Sequence, residues 1–466
     1  MINKSYRMII ASLCLVGFIA NAWAISEPPA AGTPRDFKLP EKTSFQLDNG
    51  LKVTMVPFGT VPKISMALRV RTGNLNEGAD TWLADMTGRL MQEGTTSLNS
   101  GQLARRAAEL GGAIAISTGI ETTTAGIGSL AEKDREAVAL LADVVRNPSF
   151  PESELERVRR DLIRNLSISR LQPGGMAAVA FNKQMYGDHP FSVVFPTNEQ
   201  LQSYNIEDVR RYYDDNFGAR RSHIFVSGSF DPAVMRQAIT EHFSDWKEGP
   251  ENEINVPSPT REGSLQVIDR PGSPQSTIEI GIPVIYITDP HSTQLGFMND
   301  IFGGSGFLSR LFKNLREDKG YTYGPRTGIS SHYEDSVWTF NADVSTPATG
   351  PSFTEFFKEL KRIKAQPPSD DEMAAIRGYR GGTFVLRNAS RGGIIGTLAM
   401  MDFYGLPDTY LTEYLARING VSKEQVTEIA NSQLPVAGMT IVVVGDRSVI
   451  DAQLAEVEEL KPYLED

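Results

Sequence analysis

Two stretches of the chain are apolar at strand spacing: Leu51-Lys52-Val53-Thr54-Met55-Val56, and Ser276-Thr277-Ile278-Glu279-Ile280-Gly281-Ile282. Each precedes an apolar segment of helical length closed by a glycine. The first covers 82–93 before Gly94, the second 294–302 before Gly303. Further on, each half of the chain has a long helix announced by proline and acids, at Pro151-Glu152-Ser153-Glu154 and at Pro368-Ser369-Asp370-Asp371. Acids there offset the positive end of the helix dipole. Each half then closes with a capped helix and an apolar strand. Asn205-Ile206-Glu207-Asp208 starts one such helix and 224–228 is its strand. In the other, Ser422-Lys423-Glu424-Gln425 has the form of a capping box, and 441–445 is the strand. Strands apolar along their whole length are covered on both faces.

The order repeats, so the chain reads as a duplication: an α+β protein of two homologous halves, each a mostly antiparallel sheet with helices packed on one face. The boundary falls in 247–263, KEGPENEINVPSPTREG, which is polar and proline-rich with no apolar period. The halves are then 41–246 and 264–466, and the Pro/Ala-rich 25–40 is a loose lead-in.

Two segments carry candidate chemistry. In the second half, Gly303-Gly304-Ser305-Gly306 runs into Leu308, Leu311, Phe312 and Leu315 at helical spacing. That pattern predicts a helix with one buried face, a stop at Gly320, and a strand beginning at Thr322-Tyr323. The glycine run lacks the Gly-Lys-Ser/Thr ending of a phosphate loop. In the first half, 82–95 reads WLADMTGRLMQEGT.

The 82–95 segment resembles the active-site helix of the pitrilysin (inverted-motif) zinc peptidases, roughly G-L-A-H-F-L-E-H-M-L-F-K-G-T. Leu83, Ala84, Gly94 and Thr95 match. The H-x-x-E-H positions hold Asp85, Gly88 and Arg89 instead. Zinc needs three protein ligands and an open position, with a nearby base for the bound water. Arg89 has no lone pair to give and Gly88 cannot be a base. The family's third ligand, a Glu, falls near Arg164 or Asn165, and Asp161 is about one helical turn away. The five histidines include no pair at i, i+3 or i, i+4, so no metal site is expected in this chain. Asp85 and Arg89, at i and i+4, are expected to form an ion pair in the vacated space. A second reading has Arg89 bind a peptide carboxylate.

The second-half segment resembles the family's G-G-x-x-S-S-R-L-F-x-x-L-R-E-x-x-G-x-x-Y. On spacing alone Arg316 is a solvated helix residue and Tyr323 a half-buried strand residue. The resemblance gives them a role: Arg316 with Gly303 and Gly304 in substrate binding, and Tyr323 as donor to the oxyanion of the tetrahedral intermediate, where a fixed donor contributes a few kcal/mol. Some bacterial members of the family work as two chains, one bearing zinc and the other this Arg/Tyr pair. The resemblance therefore implies the non-zinc subunit of a heterodimeric peptidase, inactive alone, with zinc in a homologous partner and peptide bound by strand addition. The alternative is a non-enzymatic scaffold or peptide-binding protein on the same fold.

Charge and the N-terminus set the surroundings. The net charge is −11, which argues against nucleic acid or an anionic membrane as partner. Lys4 and Arg7, an apolar run over 8–20 and Ala22-Trp23-Ala24 form a secretory signal, 1–24, cleaved after Ala24. The run is too short for a membrane span. The one cysteine, Cys14, lies inside that signal, so the exported chain has no thiol nucleophile and no disulfide. A periplasmic location follows as the expectation.

Overall fold

The computed structural model describes residues 38, 40–251 and 255–464. The signal and most of the lead-in lie outside the described residues. No helix among those described is long and apolar enough to cross a membrane.

Two sheets carry the fold. The first has six strands: β1 (Thr43–Gln46), β2 (Lys52–Pro57), β3 (Lys63–Val70), β4 (Ile114–Thr118), β5 (Thr123–Leu130) and β6 (Ser222–Gly228). The second has five: β7 (Ser264–Asp269), β8 (Gln275–Pro283), β9 (Arg326–His332), β10 (Asp335–Ser345) and β11 (Thr440–Gly445). Their spatial orders are β1-β2-β6-β3-β5-β4 and β7-β11-β8-β10-β9. Leaving out β1, the orders coincide, with one parallel pair in each: β2 with β6, and β7 with β11. The duplication is thus real, with one change of alignment. The stretch 276–282 is not the counterpart of 51–56. It matches β3, and β7 is the true opening strand of the second half. Strand β7 is only half-buried, so its apolar signal is weak.

The predicted helix starts hold. Asn205, Ser369 and Ser422 each accept from the third residue of their helix in a capping box. The closing strands β6 and β11 are buried along nearly their whole length.

Alternation along each strand sends side chains to opposite faces, and the two faces have different partners. Val53 and Met55 of β2, with Ile224 and Val226 of β6, enter the core of the first half, whereas Val56 and Phe225 face away. That outer face is covered by Ile394, Ile395 and Leu398, which belong to helix Arg391–Tyr404 of the second half. The reciprocal holds. Val442 and Val444 of β11 are covered by Ala177, Ala180 and Phe181 of helix Pro173–Tyr186 from the first half. Each sheet is therefore sealed on its second face by a helix exchanged from the other half. This explains why the closing strands carry apolar residues on both faces, Ile224-Phe225-Val226 in β6 and Ile441-Val442-Val443-Val444 in β11.

Both exchanged helices follow a long helix through the same tight corner. The first corner is Pro173-Gly174-Gly175, the second Arg391-Gly392-Gly393. A Cβ on Gly175 would overlap the carbonyl oxygen of Ser169, and one on Gly393 that of Arg387. The separation is six residues in both, which fixes the register of the repeat.

Candidate active site

The degenerate motif lies on helix Leu83–Leu90. Its start is held by Glu77, whose carboxylate accepts from the backbone N–H of Trp82 (2.8 Å) and Ala84 (3.0 Å). Burial pushes the Glu77 carboxyl up to about 7 despite these donors. Asp85 accepts from Asn74 Nδ2 at 2.8 Å, and burial raises its pKa as well. The expected Asp85–Arg89 ion pair is not formed. Arg89 is within the electrostatic reach of Asp85, but the direct partner of the carboxylate is Asn74.

Gly88 is closed off by strand β4. A Cβ there would collide with the Thr118 hydroxyl, which itself reaches the Ala84 carbonyl at 3.4 Å, and Ile116 lies just beyond. The space a general base would need is filled by a neighbouring strand. On the long helix Glu152–Leu171, Asp161 pairs with Arg157 and Arg164 at 3.4 and 3.1 Å. Arg164 is exposed. No cluster of metal-binding side chains occurs among the described residues.

The second-half segment departs from the simple helix predicted for it. The backbone forms a π-helix over Asp300–Gly304, a 3₁₀ turn over Gly306–Leu308, and a second π-helix over Phe312–Asp318. Leu308 is 39 % exposed, not buried, because the backbone is left-handed at Gly306 and extended at Ser309, which interrupts the helix. π-Turns are rare and concentrate at functional sites. Gly320 ends the segment as predicted, with φ +65° and its N–H on the Arg316 carbonyl at 3.2 Å. Strand β9 starts at Arg326 rather than Thr322, and Thr322 makes only an isolated bridge to Val344.

This segment is anchored from below. Arg310, 6 % exposed, grips Glu372 with two hydrogen bonds of 2.7 and 3.0 Å. The guanidinium holds the Glu372 carboxyl down at about 2 against its burial. Asn314 donates to Glu355 and Glu359 at 2.8 and 3.0 Å. Neither Arg310 nor Asn314 was singled out by pattern. Arg310 sits two residues past the apolar Leu308, where the spacing suggests only a surface position.

The upper face carries the predicted pair. The Arg316 guanidinium lies over the rings of Tyr323 (4.2 Å), Phe312 (4.7 Å) and Phe307 (5.5 Å). Tyr323 is 81 % exposed and Phe307 67 %. Gly303 and Gly304 play another part. Cβ atoms there would crowd Thr327, and Asn299 with Asp300, so these glycines admit close packing beneath the loop. Asn299 in turn accepts from the buried Trp338 indole at 2.9 Å.

Two descriptions of one family match successive stretches of the chain, the second crossing the boundary between the halves. The first half matches "Insulinase (Peptidase family M16)" over residues 59–189, and residues 203–378 match "Peptidase M16 inactive domain". The chain belongs to the peptidase M16 family. Among its relatives are an "Uncharacterized zinc protease" of Rickettsia felis, 24 % identical over 70 % of this chain and 79 % of that protein, and a "Non-peptidase homolog YmxG" of Helicobacter pylori, 18 % identical over 80 % and 87 %. Of solved structures, a peptidase M16 inactive domain from Pseudomonas fluorescens superposes with a TM-score of 0.80 at 23 % identity, covering 87 % of this chain and 98 % of that one. An Helicobacter pylori protease follows at 0.78 and 19 %, covering 88 % and 100 %. The structural likenesses establish the M16 fold. The match to an inactive domain and the likeness to a named non-peptidase homolog make this member an inactive-type homologue within the family.

Proposed function

We propose that this chain is the non-zinc subunit of a two-chain M16 peptidase, with Arg316 and Tyr323 serving a peptide held against a homologous, zinc-bearing partner. The observation that carries the reading is the asymmetry of the two sites. The motif helix is closed over Gly88 by Thr118, while Tyr323 is presented outward on a segment clamped by the Arg310–Glu372 pair. Arg316 orients the Tyr323 ring by stacking and keeps its own donors near the peptide backbone. The phenol then donates to the oxyanion as it develops, a contribution worth a few kcal/mol. In this reading zinc and the general base belong to the partner. Strand β4 stands at the edge of the first sheet and β9 at the edge of the second, so either can accept an extended peptide as an added strand. The location proposed is the periplasm, after cleavage of the 1–24 signal. A fold neighbour, the periplasmic protease PqqL of Escherichia coli, shows that the M16 fold occurs there.

The second reading, a scaffold without catalytic residues, has the aromatic cage in its favour, since Arg316 is already satisfied by rings of its own chain. One experiment separates the two. The chain is purified alone and with an H-x-x-E-H homologue, and zinc content and cleavage of a quenched peptide are measured. The peptidase reading expects activity only in the mixture, reduced about 100-fold by Tyr323→Phe. A stable complex whose activity ignores Tyr323→Phe and Arg316→Ala makes this chain a scaffold.

A further inference from the structure

A cavity of about 280 Å³ lies within the second half. It is bounded by helix Asp370–Asn388, the exchanged helix Arg391–Tyr404, and the short helices Thr409–Thr412 and Tyr414–Gly420. Its lining residues fall within 380–414, so it shares none with the Arg316 segment. The volume is just under that of pockets for drug-sized ligands, so its occupant is smaller than those.

The walls are apolar, and the spare polar groups are all donors. Phe384 stacks on Tyr414 at 4.4 Å and 17°, and Met400 and Leu411 add apolar surface. Three polar side chains of the wall are spent on the protein itself. The Thr383 hydroxyl donates to the Tyr379 carbonyl at 2.9 Å, the Asn388 amide to the Phe384 carbonyl at 2.9 Å, and the Thr397 hydroxyl to Asn388 Oδ1 at 3.0 Å. The remaining groups have nothing to donate to among the described residues. The Tyr414 oxygen accepts from Arg380 Nε at 3.4 Å, but its own O–H has no acceptor. The Tyr410 hydroxyl and the Arg387 guanidinium have no acceptor either. No Asp or Glu is among the lining residues described. Of the two lining arginines, Arg380 has Asp300 at 3.5 Å and Arg387 has no carboxylate beside it, so one positive charge is left over. Burial and then Tyr414 raise the pKa of the Tyr410 phenol, and the charges of Arg417, Arg380 and Arg387 oppose the rise, so the phenol stands within their electrostatic reach. Gly396 keeps the space open: it lines the cavity, and a Cβ there would meet nothing within 4 Å.

We propose that this cavity binds a small monocarboxylate with an apolar body. A donor-only lining with one spare positive charge is matched by a singly charged acceptor, held by Arg387 and the Tyr410 and Tyr414 hydroxyls. A dianion would leave a negative charge unpaired, and an amine would meet only donors. The apolar body lies on Phe384, Met400 and Leu411. The site needs nothing from a zinc-bearing partner, so its test uses this chain alone and its outcome is separate from the peptidase reading.

The probe is phenylpropionate, compared with phenylpropionamide, phenylpropylamine and acetate by calorimetry on the full chain at neutral pH. The acid should bind, the amide about tenfold or more weaker for want of the charge-assisted bonds, and the amine and acetate weaker still. Arg387→Met changes an exposed side chain and should leave the melting temperature in place, yet lose the discrimination between acid and amide. Gly396→Leu adds a better helix former in open space and should keep or raise the melting temperature while removing binding of the acid. Equal binding of acid and amide, equal or tighter binding of the amine or of acetate, affinity for the acid unchanged by Arg387→Met or by Gly396→Leu, or no binding of the acid at about 10 mM, a level where even weak complexes form, would each overturn the proposal.

Discussion

The Arg310–Glu372 pair offers a quantitative test of how the second-half segment is held. Its perturbation is Arg310→Met, which keeps the side-chain bulk, paired with Glu372→Gln, which keeps the capping box with Ser369. The structure holds the Glu372 carboxyl at about 2 where an ordinary glutamate has 4.5. At about 1.4 kcal/mol per pH unit this corresponds to roughly 3 kcal/mol of stabilisation. Glu372 keeps 21 % of its side chain exposed and Ser369 shares in lowering its carboxyl, so screening and that second partner reduce the part belonging to Arg310 to about 2 kcal/mol. The folded pKa is depressed, so the stabilisation is complete above pH 4.5 and is lost as pH falls toward 2. The assay is urea unfolding of wild type, both single variants and the double variant, at pH 7 and pH 3. The coupling in the double-mutant cycle should be about 2 kcal/mol at pH 7, with less than half of it remaining at pH 3. A coupling below about 0.5 kcal/mol at pH 7, or one that does not change with pH, refutes the clamp, because surface pairs have values in that range.

The two glycine corners should respond differently from exposed helical glycines. Gly175→Ala and Gly393→Ala force a methyl onto the carbonyls of Ser169 and Arg387 and should each cost about 2 kcal/mol or more, whereas Gly378→Ala, with open space around it, should gain up to about 1 kcal/mol in the same unfolding measurement. Rebuilding the motif by Asp85→His, Gly88→Glu and Arg89→His should not yield stoichiometric zinc by elemental analysis, since no group of metal-binding side chains among the described residues supplies the third ligand; one zinc per chain would contradict this. Glu279 lies in β8 on the face covered by the exchanged helix, and burial alone raises its carboxyl to about 7. Its contribution is complete below pH 4.5 and is lost as pH rises to about 7, so Glu279→Gln should gain on the order of 2 kcal/mol over wild type at pH 8 and nothing at pH 4.5. Parallel stability–pH curves would show that Glu279 is not desolvated.

Much of this was legible because it is local. Capping at Asn205, Ser369 and Ser422 depends on residues three apart, and the stop at Gly320 depends on one left-handed residue. The absence of His at 85 and 89 and of Glu at 88 is read directly. What escaped is long-range. Thr118 closing on Gly88 links residues thirty positions apart. The ion pair expected between Asp85 and Arg89 lost to Asn74, eleven residues upstream. The helix expected through Leu308 breaks at the left-handed Gly306 and the extended Ser309, which the apolar spacing does not register. The exchange of helices left a trace, since the consecutive apolar residues Ile224-Phe225-Val226 of β6 and Ile441-Val442-Val443-Val444 of β11 require a cover on both faces. The Gly-Gly pairs at 174–175 and 392–393 are a second such trace, visible as a spacing match between the halves but too short to stand out unaided.

The reciprocal exchange also constrains how this chain comes into being. As it emerges in N-to-C order, the first half can complete its own core, but Val56 and Phe225 stay bare until helix Arg391–Tyr404 is made. Folding of the two halves is thus coupled by synthesis order, with the early half exposing an apolar sheet face from the completion of β6 at Gly228 until helix Arg391–Tyr404 is made. The same topology has a two-fold logic. Two identical copies of one half, each lending its helix to the other, would cover both faces without any linker. A tandem gene built from such a swapped dimer needs only a connection like 247–263 to reach the architecture seen here, and each half is then free to diverge in its surface while its loaned helix stays bound to the other's sheet.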